Sequence, residues 1–292
     1  MSRQKKNFHH TFGVLGGDMR QVYLAQSIAA DGFPVLTSGL EKAQGERPPE
    51  PVDFEQLCRQ ADVILLPLPA TLEGETLNMP LSAQGIKLDE EFAARFCGKQ
   101  VLGGMTGKLA ASAEGWSRVS LRDYYQREEL LIGNAVLTAE GAIGAAIASH
   151  PGSVNGARCL VTGFGRIGKA LCLALRGLGA QVDCAARKAW DFTSIQALGC
   201  SPVQYGEIGG GYDLIFNTVP HVVLGAAALS RQSPDCLLLE LASLPGGIDL
   251  EAAGRLGLRV QQELSLPGRM SPKSAGELIN ETVYNMLEET EN

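Results

Sequence analysis

No two of the seven cysteines in this 292-residue chain form a C-x-x-C pair. Cys58, Cys97, Cys159, Cys172, Cys184, Cys200 and Cys236 lie scattered, which excludes a disulfide framework or a zinc site and predicts buried thiols in a reducing compartment. Positive charge is also in short supply: 25 Lys and Arg stand against 32 Asp and Glu, a net charge of −7. That balance argues against nucleic acid as a partner, since such a partner needs a basic stripe or patch, and any anionic ligand must be held by local groups. No uninterrupted apolar run approaches the roughly 20 residues that span a bilayer, so no membrane association is expected. The basic opening, residues 2–7, is followed by Gly13, Gly16, Gly17 and Asp18 rather than by an apolar stretch, and reads as a frayed tail rather than a targeting segment. A soluble cytoplasmic protein is the expectation. Histidine is scarce, with His9 and His10 near the tail, His150 at a helix end, and His221.

What is present is an alternation of short β-rich apolar runs with helix-like segments from end to end, the pattern of mostly parallel sheets covered by helices. Strands are predicted over 11–15, 34–37, 62–68, 100–103 and 118–121, with helices over 20–30 and 54–60. Residues 71–88 are rich in Gly, Pro and polar side chains and read as a lid, an ordered excursion or a plain surface loop. Residues 134–149 are small, apolar and helix-compatible, stop at His150-Pro151-Gly152, and predict a bridging helix whose Gly141 and Gly144 pack closely on another element. The alternation then restarts with strands over 158–162, 181–185, 213–217, 237–241 and 259–263 and a helix over 167–177. A last helix, 274–289, has too little apolar surface to stand alone and is expected to pack back across the first domain. The expected fold is α/β, with two doubly wound domains of mostly parallel strands: one formed by 8–134 plus 272–292, the other by 135–271.

Gly163-Phe164-Gly165-Arg166-Ile167-Gly168 is a G-x-G-x-x-G loop directly after an apolar strand and directly before a helical run, the context in which this motif signals a Rossmann-like dinucleotide site. Gly163 permits the tight turn, Gly165 clears the approach of a pyrophosphate to the backbone, and Gly168 lets helix and strand pack closely. Exposed amides at the helix start then meet the phosphate charge. At the end of the next strand an NAD site places an acid for the ribose hydroxyls; here that position is Ala186, while Arg187 and Lys188 follow where a 2′-phosphate needs positive charge. Cations beside a missing carboxylate favour NADP, and if both are plain surface charges NAD competes. Thr218-Val219-Pro220, after Asn217, and the segment 240–247 end two further strands and are expected near the nicotinamide ribose or ring.

Taken together, Gly16-Gly17-Asp18-Met19-Arg20, Gly103-Gly104-Met105-Thr106-Gly107, Thr138-Ala139-Glu140-Gly141-Ala142, the loop 163–168 with Ala186-Arg187-Lys188, Asn217-Thr218-Val219-Pro220 and Leu241-Ala242-Ser243-Leu244-Pro245-Gly246-Gly247 give the chain a resemblance to the family of dipicolinate synthase A-subunits. The resemblance implies oxidation of dihydrodipicolinate to dipicolinate with hydride transfer to NADP, together with a second, flavoprotein-like subunit in a hetero-oligomer, in the mother-cell cytoplasm of a sporulating bacterium. The substrate would be a small planar dicarboxylate whose product is aromatic, so ring placement matters more than a powerful base. Candidates to grip the two anions are Asp18, Arg20, Thr106, Lys108, Ser243, and the pair Arg269 and Lys273 flanking a helix start. His221, after Pro220, and Glu140, a carboxylate on an otherwise small apolar helix, are the proton-transfer candidates. Each of these has a structural alternative: a solvated charge, a cap or a hydrogen bond.

Two other classes fit the same fold. A stand-alone NAD(P)-dependent dehydrogenase of a small 2-hydroxy or amino acid is one. The hydroxyacid enzymes, however, place an Arg and a His where this chain has Leu241-Ala242-Ser243-Leu244-Pro245 and Leu266-Pro267-Gly268-Arg269. A non-catalytic dinucleotide-binding scaffold is the other, and fold analogy alone does not decide among them.

Overall fold

The computed structural model describes residues 9–291, so the basic opening segment and the first residue of the expected first domain lie outside it. The chain divides into two compact units, one running to Gly133 and resuming at Ser271, the other Asn134–Met270.

In the first unit five short strands, β1 (Phe12–Leu15), β2 (Val35–Ser38), β3 (Val63–Leu65), β4 (Gln100–Gly103) and β5 (Ser120–Asp123), form one sheet in the order β2-β1-β3-β4-β5. All its pairings are parallel. A parallel sheet needs cover on both faces, so its strands read as apolar runs rather than as alternation. Side chains of successive residues nevertheless go to opposite faces. Phe12, Val14, Val63, Leu65 and Leu102 join Val22, Leu24 and Ile28 of the helix Met19–Ala30 and Ile279, Val283 and Leu287 of the helix Pro272–Glu291. Leu15, Ile64, Leu66 and Val101 meet Leu57, Phe92, Phe96 and Trp116 on the other face. Strand order reverses between β1 and β3, and that is where an open α/β sheet forms its ligand crevice.

The C-terminal helix packs on the helix Met19–Ala30, as its thin apolar stripe requires. A Cβ at Gly276 would stand 2.5 Å from the carbonyl oxygen of Arg20 and 2.8 Å from the amide of Leu24, so glycine is what lets the two backbones approach. Residues 71–88 form an ordered excursion: Leu77 is buried, Thr76 bridges Lys87, and the Asn78 carbonyl accepts the amide of Gly17 at 2.9 Å.

The second unit holds six parallel strands, β6 (Arg158–Thr162), β7 (Gln181–Ala186), β8 (Ser201–Gln204), β9 (Leu214–Asn217), β10 (Leu237–Glu240) and β11 (Arg259–Gln262), in the order β11-β10-β9-β6-β7-β8. Counted from its own first strand this is 6-5-4-1-2-3, the doubly wound Rossmann order with its switch point between β6 and β9. Cys159 and Val161 pack with Leu171, Cys172 and Leu175 of the helix Arg166–Gly177. Leu160 packs oppositely with Ile215, Leu238, Ile248 and Ala252.

The helix Glu128–Ser149 is continuous across the boundary between the units and begins six residues before the predicted bridge. By length and composition it is apolar enough to cross a membrane, with a mean hydropathy of 1.6, although Glu140 interrupts the apolar run; half of that window is buried inside the fold. Ala139, Ala142, Ile143 and Ala146 belong to the core of the second unit. On that face its apolarity serves packing, while Ile132, Val136 and Ile147 are exposed. A Cβ at Gly141 would press on Leu266 at 3.1 Å, which explains that glycine; Gly144 meets only Met270, at 3.8 Å.

All seven cysteines are free and only Cys97 is exposed. Burial pushes the Cys58 thiol up to about 11 and those of Cys159, Cys200 and Cys236 up to about 12, so these are inert protonated thiols at neutral pH. Among the described residues no group of three or more His, Cys, Asp or Glu is placed to hold a metal.

Candidate functional site

The second unit assembles its site at the carboxyl ends of β6, β9, β7 and β10. β6 gives way to the predicted glycine loop, and each glycine has its own steric reason. Gly163 sits at φ +91°, and a Cβ there would meet Thr218 Oγ1 at 2.7 Å and Val219 Cγ2 at 2.8 Å. At Gly168 a Cβ would fall 2.0 Å from the Gly163 carbonyl oxygen, so the helix can start against the loop only because that side chain is absent. Around Gly165, by contrast, a Cβ would find nothing within 4 Å. Gly165 is also the N-cap of the helix Arg166–Gly177 and brings no side chain to cap it. A helix start without a side-chain cap and with open space before it can take a phosphate on its amides. Phe164 is buried and Ile167 packs on the same core, which anchors the loop; Lys169 Nζ lies 5.3 Å over the Phe164 ring.

The loop after β9 is fixed to this one. Thr218 donates from its amide and its hydroxyl to the Thr162 carbonyl, at 3.1 and 2.8 Å. Thr218 and Val219 are half-buried, and Pro220 and His221 are exposed. The loop after β10 is tied in through Glu240 and Asn217, both buried; Ser243 lies exposed on it, its carbonyl accepting the Gly246 amide at 3.0 Å.

β7 ends on Ala186, the position aligned with the missing acid, and Arg187 and Lys188 follow it, both exposed. Lys188 Nζ stands 5.0 Å over the Trp190 ring. Asp183 lies inside the strand and accepts from Tyr212 Oη at 2.8 Å, a structural bond away from the strand end.

Other candidates are less favourably placed. Arg269 donates through Nη1 to Glu263 Oε2 at 2.9 Å, an ion pair with a buried acid just after β11. Lys273, exposed, belongs to the first unit, whereas Arg269 belongs to the second. Glu140 is exposed on its helix rather than enclosed by it.

In the first unit Asp18 caps the helix Met19–Ala30 through the amide of Arg20 at 3.0 Å, and the Arg20 guanidinium returns to the same carboxylate at 2.7 Å. Arg20 also donates to the Leu68 carbonyl, and its side chain is only 11% exposed. Burial works against its charge, yet the bond and field of Asp18 prevail and the guanidinium sits above its usual range. This cation is thus already answered by an acid, and Asp18 and Arg20 form a closed pair. The β3 loop backs on the β4 loop, with the Gly104 amide on the Pro67 carbonyl at 3.0 Å. Asp123 holds the latter by accepting the amides of Met105 at 3.0 Å and Thr106 at 2.9 Å, with Met105 in the left-handed region at φ +54°. Thr106 is buried, and exposed Lys108 spends its ammonium on the Leu72 carbonyl at 2.6 Å, securing the 71–88 excursion.

Asp123 and Glu240 are the two organising acids that sequence reasoning did not single out. Both are acids at the carboxyl end of a strand; Asp123 binds backbone amides of the neighbouring loop after β4, and Glu240 those of the loop that follows its own strand. That position was the available signal.

Two parallel α/β units, the second with a Rossmann strand order and a glycine loop at its switch point, define the class; the transhydrogenase of Sinorhizobium meliloti shares this fold, with a TM-score of 0.67 at 16% identity over 95% of this chain and 94% of that one. Within the class, residues 11–123 match the family model for the N-terminal domain of the dipicolinate synthase A-subunit. The chain is 28% identical to the dipicolinate synthase A-subunit of Bacillus subtilis (strain 168) over 94% of its length and 95% of that protein. The crystal structure of the dipicolinate synthase A chain from Bacillus subtilis matches with a TM-score of 0.84 at 26% identity over 98% of both chains. The resemblance carried by the motifs is borne out: over nearly its whole length the chain is similar to the dipicolinate synthase A-subunit.

Proposed function

We propose that this chain is the dinucleotide-binding component of a dipicolinate-forming oxidoreductase, oxidising dihydrodipicolinate to dipicolinate with NADP as hydride acceptor. The observation that carries the reading is the coincidence of an uncapped glycine loop at the switch point of the second unit with whole-length similarity to the dipicolinate synthase A-subunit. Residues 163–168 and Thr218, Val219 and Pro220 would hold the dinucleotide, and Arg187 and Lys188 its 2′-phosphate. When bound, NADP supplies the hydride acceptor. Oxidation also releases a proton, and aromatisation of the product drives both losses, so the residues mainly bind and orient a planar dianion. Asp18, Arg20, Thr106, Lys108, Ser243, Arg269 and Lys273 are the proposed substrate contacts, with Asp18 and Arg20 offering hydrogen bonds as an internally neutral pair. His221 or Glu140 would take the proton, or pass it to water.

The partner is proposed to be a second, flavoprotein-like subunit in a hetero-oligomer, and the setting the cytoplasm of a sporulating mother cell. A non-catalytic scaffold is the second reading, favoured by the exposure of both His221 and Glu140. One assay separates the two: purified chain, with and without the partner subunit, is mixed with NADP and dihydrodipicolinate while dipicolinate absorbance and NADPH are followed. One NADPH per dipicolinate, strictly dependent on this chain, is expected. Binding of NADP without turnover in any pairing would favour the scaffold, and turnover of a 2-hydroxy acid instead would identify a stand-alone dehydrogenase.

A further inference from the structure

Glu240 ends β10 with 3% of its surface exposed, and all of its hydrogen-bond partners are donors. Oε1 accepts from Asn217 Nδ2 at 2.6 Å and from the Ala242 amide at 3.0 Å; Oε2 accepts from the amides of Gly247 at 2.8 Å and Ile248 at 3.0 Å. Such a set satisfies a carboxylate and not a carboxylic acid, which would have to donate. None of the four donors is a cation, and among the described residues no ion pair reaches this group. A buried charge without a counter-ion is costly, and its persistence asks for a reason.

The surroundings are built to keep it there. Gly246, at φ +84°, leaves room where a Cβ would stand 2.9 Å from Oε2, and a Cβ at Gly247 would fall 2.4 Å from the Val219 carbonyl oxygen. Asn217 passes the connection on: its Nδ2 also donates to the Val219 carbonyl at 3.0 Å, and its Oδ1 accepts from the Thr162 hydroxyl. The ends of β6, β9 and β10 and the loops after β9 and β10 are thereby one hydrogen-bonded body. It lies beyond the carboxyl ends of the strands, where ligands of such sheets bind.

We propose that Glu240 is a positioning residue that locks these two loops and whose unneutralised charge makes the site favour the cationic, oxidised nicotinamide over the neutral, reduced one. This rests on the dinucleotide reading above. An anion in a low-dielectric setting attracts the oxidised ring alone, because only that form carries the positive charge.

The test is a set of dissociation constants for wild type, Glu240→Gln and Glu240→Asp, with NADP⁺, NADPH and 2′-phospho-ADP-ribose, which lacks the ring, as the three probes. Glu240→Gln should weaken NADP⁺ roughly tenfold more than NADPH, with the ring-free probe following NADPH. Glu240→Asp keeps the charge and should preserve the wild-type NADP⁺ to NADPH ratio while weakening both. Equal losses of NADP⁺ and NADPH in Glu240→Gln would overturn the proposal and leave Glu240 purely structural. Should that variant not fold, the wild type decides: tighter binding of NADPH than of NADP⁺ would overturn it, the reverse would support it. If the wild type bound none of the three probes, the dinucleotide reading itself would fall and this inference with it.

Discussion

Gly168→Ala should severely weaken dinucleotide binding and destabilise the second unit, whereas Gly165→Ala should damage binding alone. At Gly168 the added methyl would stand 2.0 Å from the Gly163 carbonyl oxygen and 2.9 Å from its carbon, so it meets backbone that cannot rotate away. Relief requires the start of the helix Arg166–Gly177 to lift from the loop, which moves the amides that would face a phosphate. Overpacking of this kind costs about 1–3 kcal/mol in stability, and misplaced amides would lower affinity by on the order of 100-fold or more. At Gly165 a methyl meets nothing of the protein within 4 Å, and the residue's φ of −79° suits alanine. The fold should be untouched, and only a ligand pressed against the backbone should notice. Thermal unfolding and calorimetric titration of both variants give the comparison. Unchanged binding in Gly165→Ala would mean that no ligand comes close at that point.

Removing the two cations after β7 should change which cofactor is preferred. Arg187→Ala combined with Lys188→Ala is expected to weaken NADP by roughly 100-fold and NAD by only a few-fold, because each charge-assisted bond to a 2′-phosphate is worth about 1.5–3 kcal/mol and NAD has no such group. Both residues are exposed and follow the last strand residue, so their loss should leave the unfolding midpoint where it is. The Trp190 ring, 66% exposed beside Lys188, offers a fluorescence signal at this corner of the site. Equal losses for the two nucleotides would remove the assignment of NADP.

Much of the fold was legible in the amino-acid sequence because the physics is local. The glycine loop lies between a strand and a helix that are contiguous with it, so its three steric constraints could be read from spacing alone. The C-terminal helix declared its need for cover by its thin apolar stripe. β8 was missed because Ser201-Pro202-Val203-Gln204 has neither apolar alternation nor freedom from proline; it forms only as the edge of the sheet, where a proline does not interrupt a central ladder. The state of Arg20 was not readable either: a cation beside an acid two residues away becomes a closed pair only when a helix start and the Leu68 carbonyl bring them together. The ion pair of Arg269 was hidden for a related reason, its partner Glu263 being placed by the end of the β11 segment. Glu240 stood in the open as an acid at a strand end. What hid its importance is that three of its four partners are backbone amides, which any sequence supplies and no motif marks.

Whether the second unit binds NADP through the loop between β6 and its helix is tested most directly by titrating NADP and NAD into the purified wild-type chain, followed by calorimetry at one fixed ionic strength. Saturable one-to-one binding, with NADP at least about tenfold tighter than NAD, is the predicted result; the absence of saturable binding by either nucleotide would contradict it.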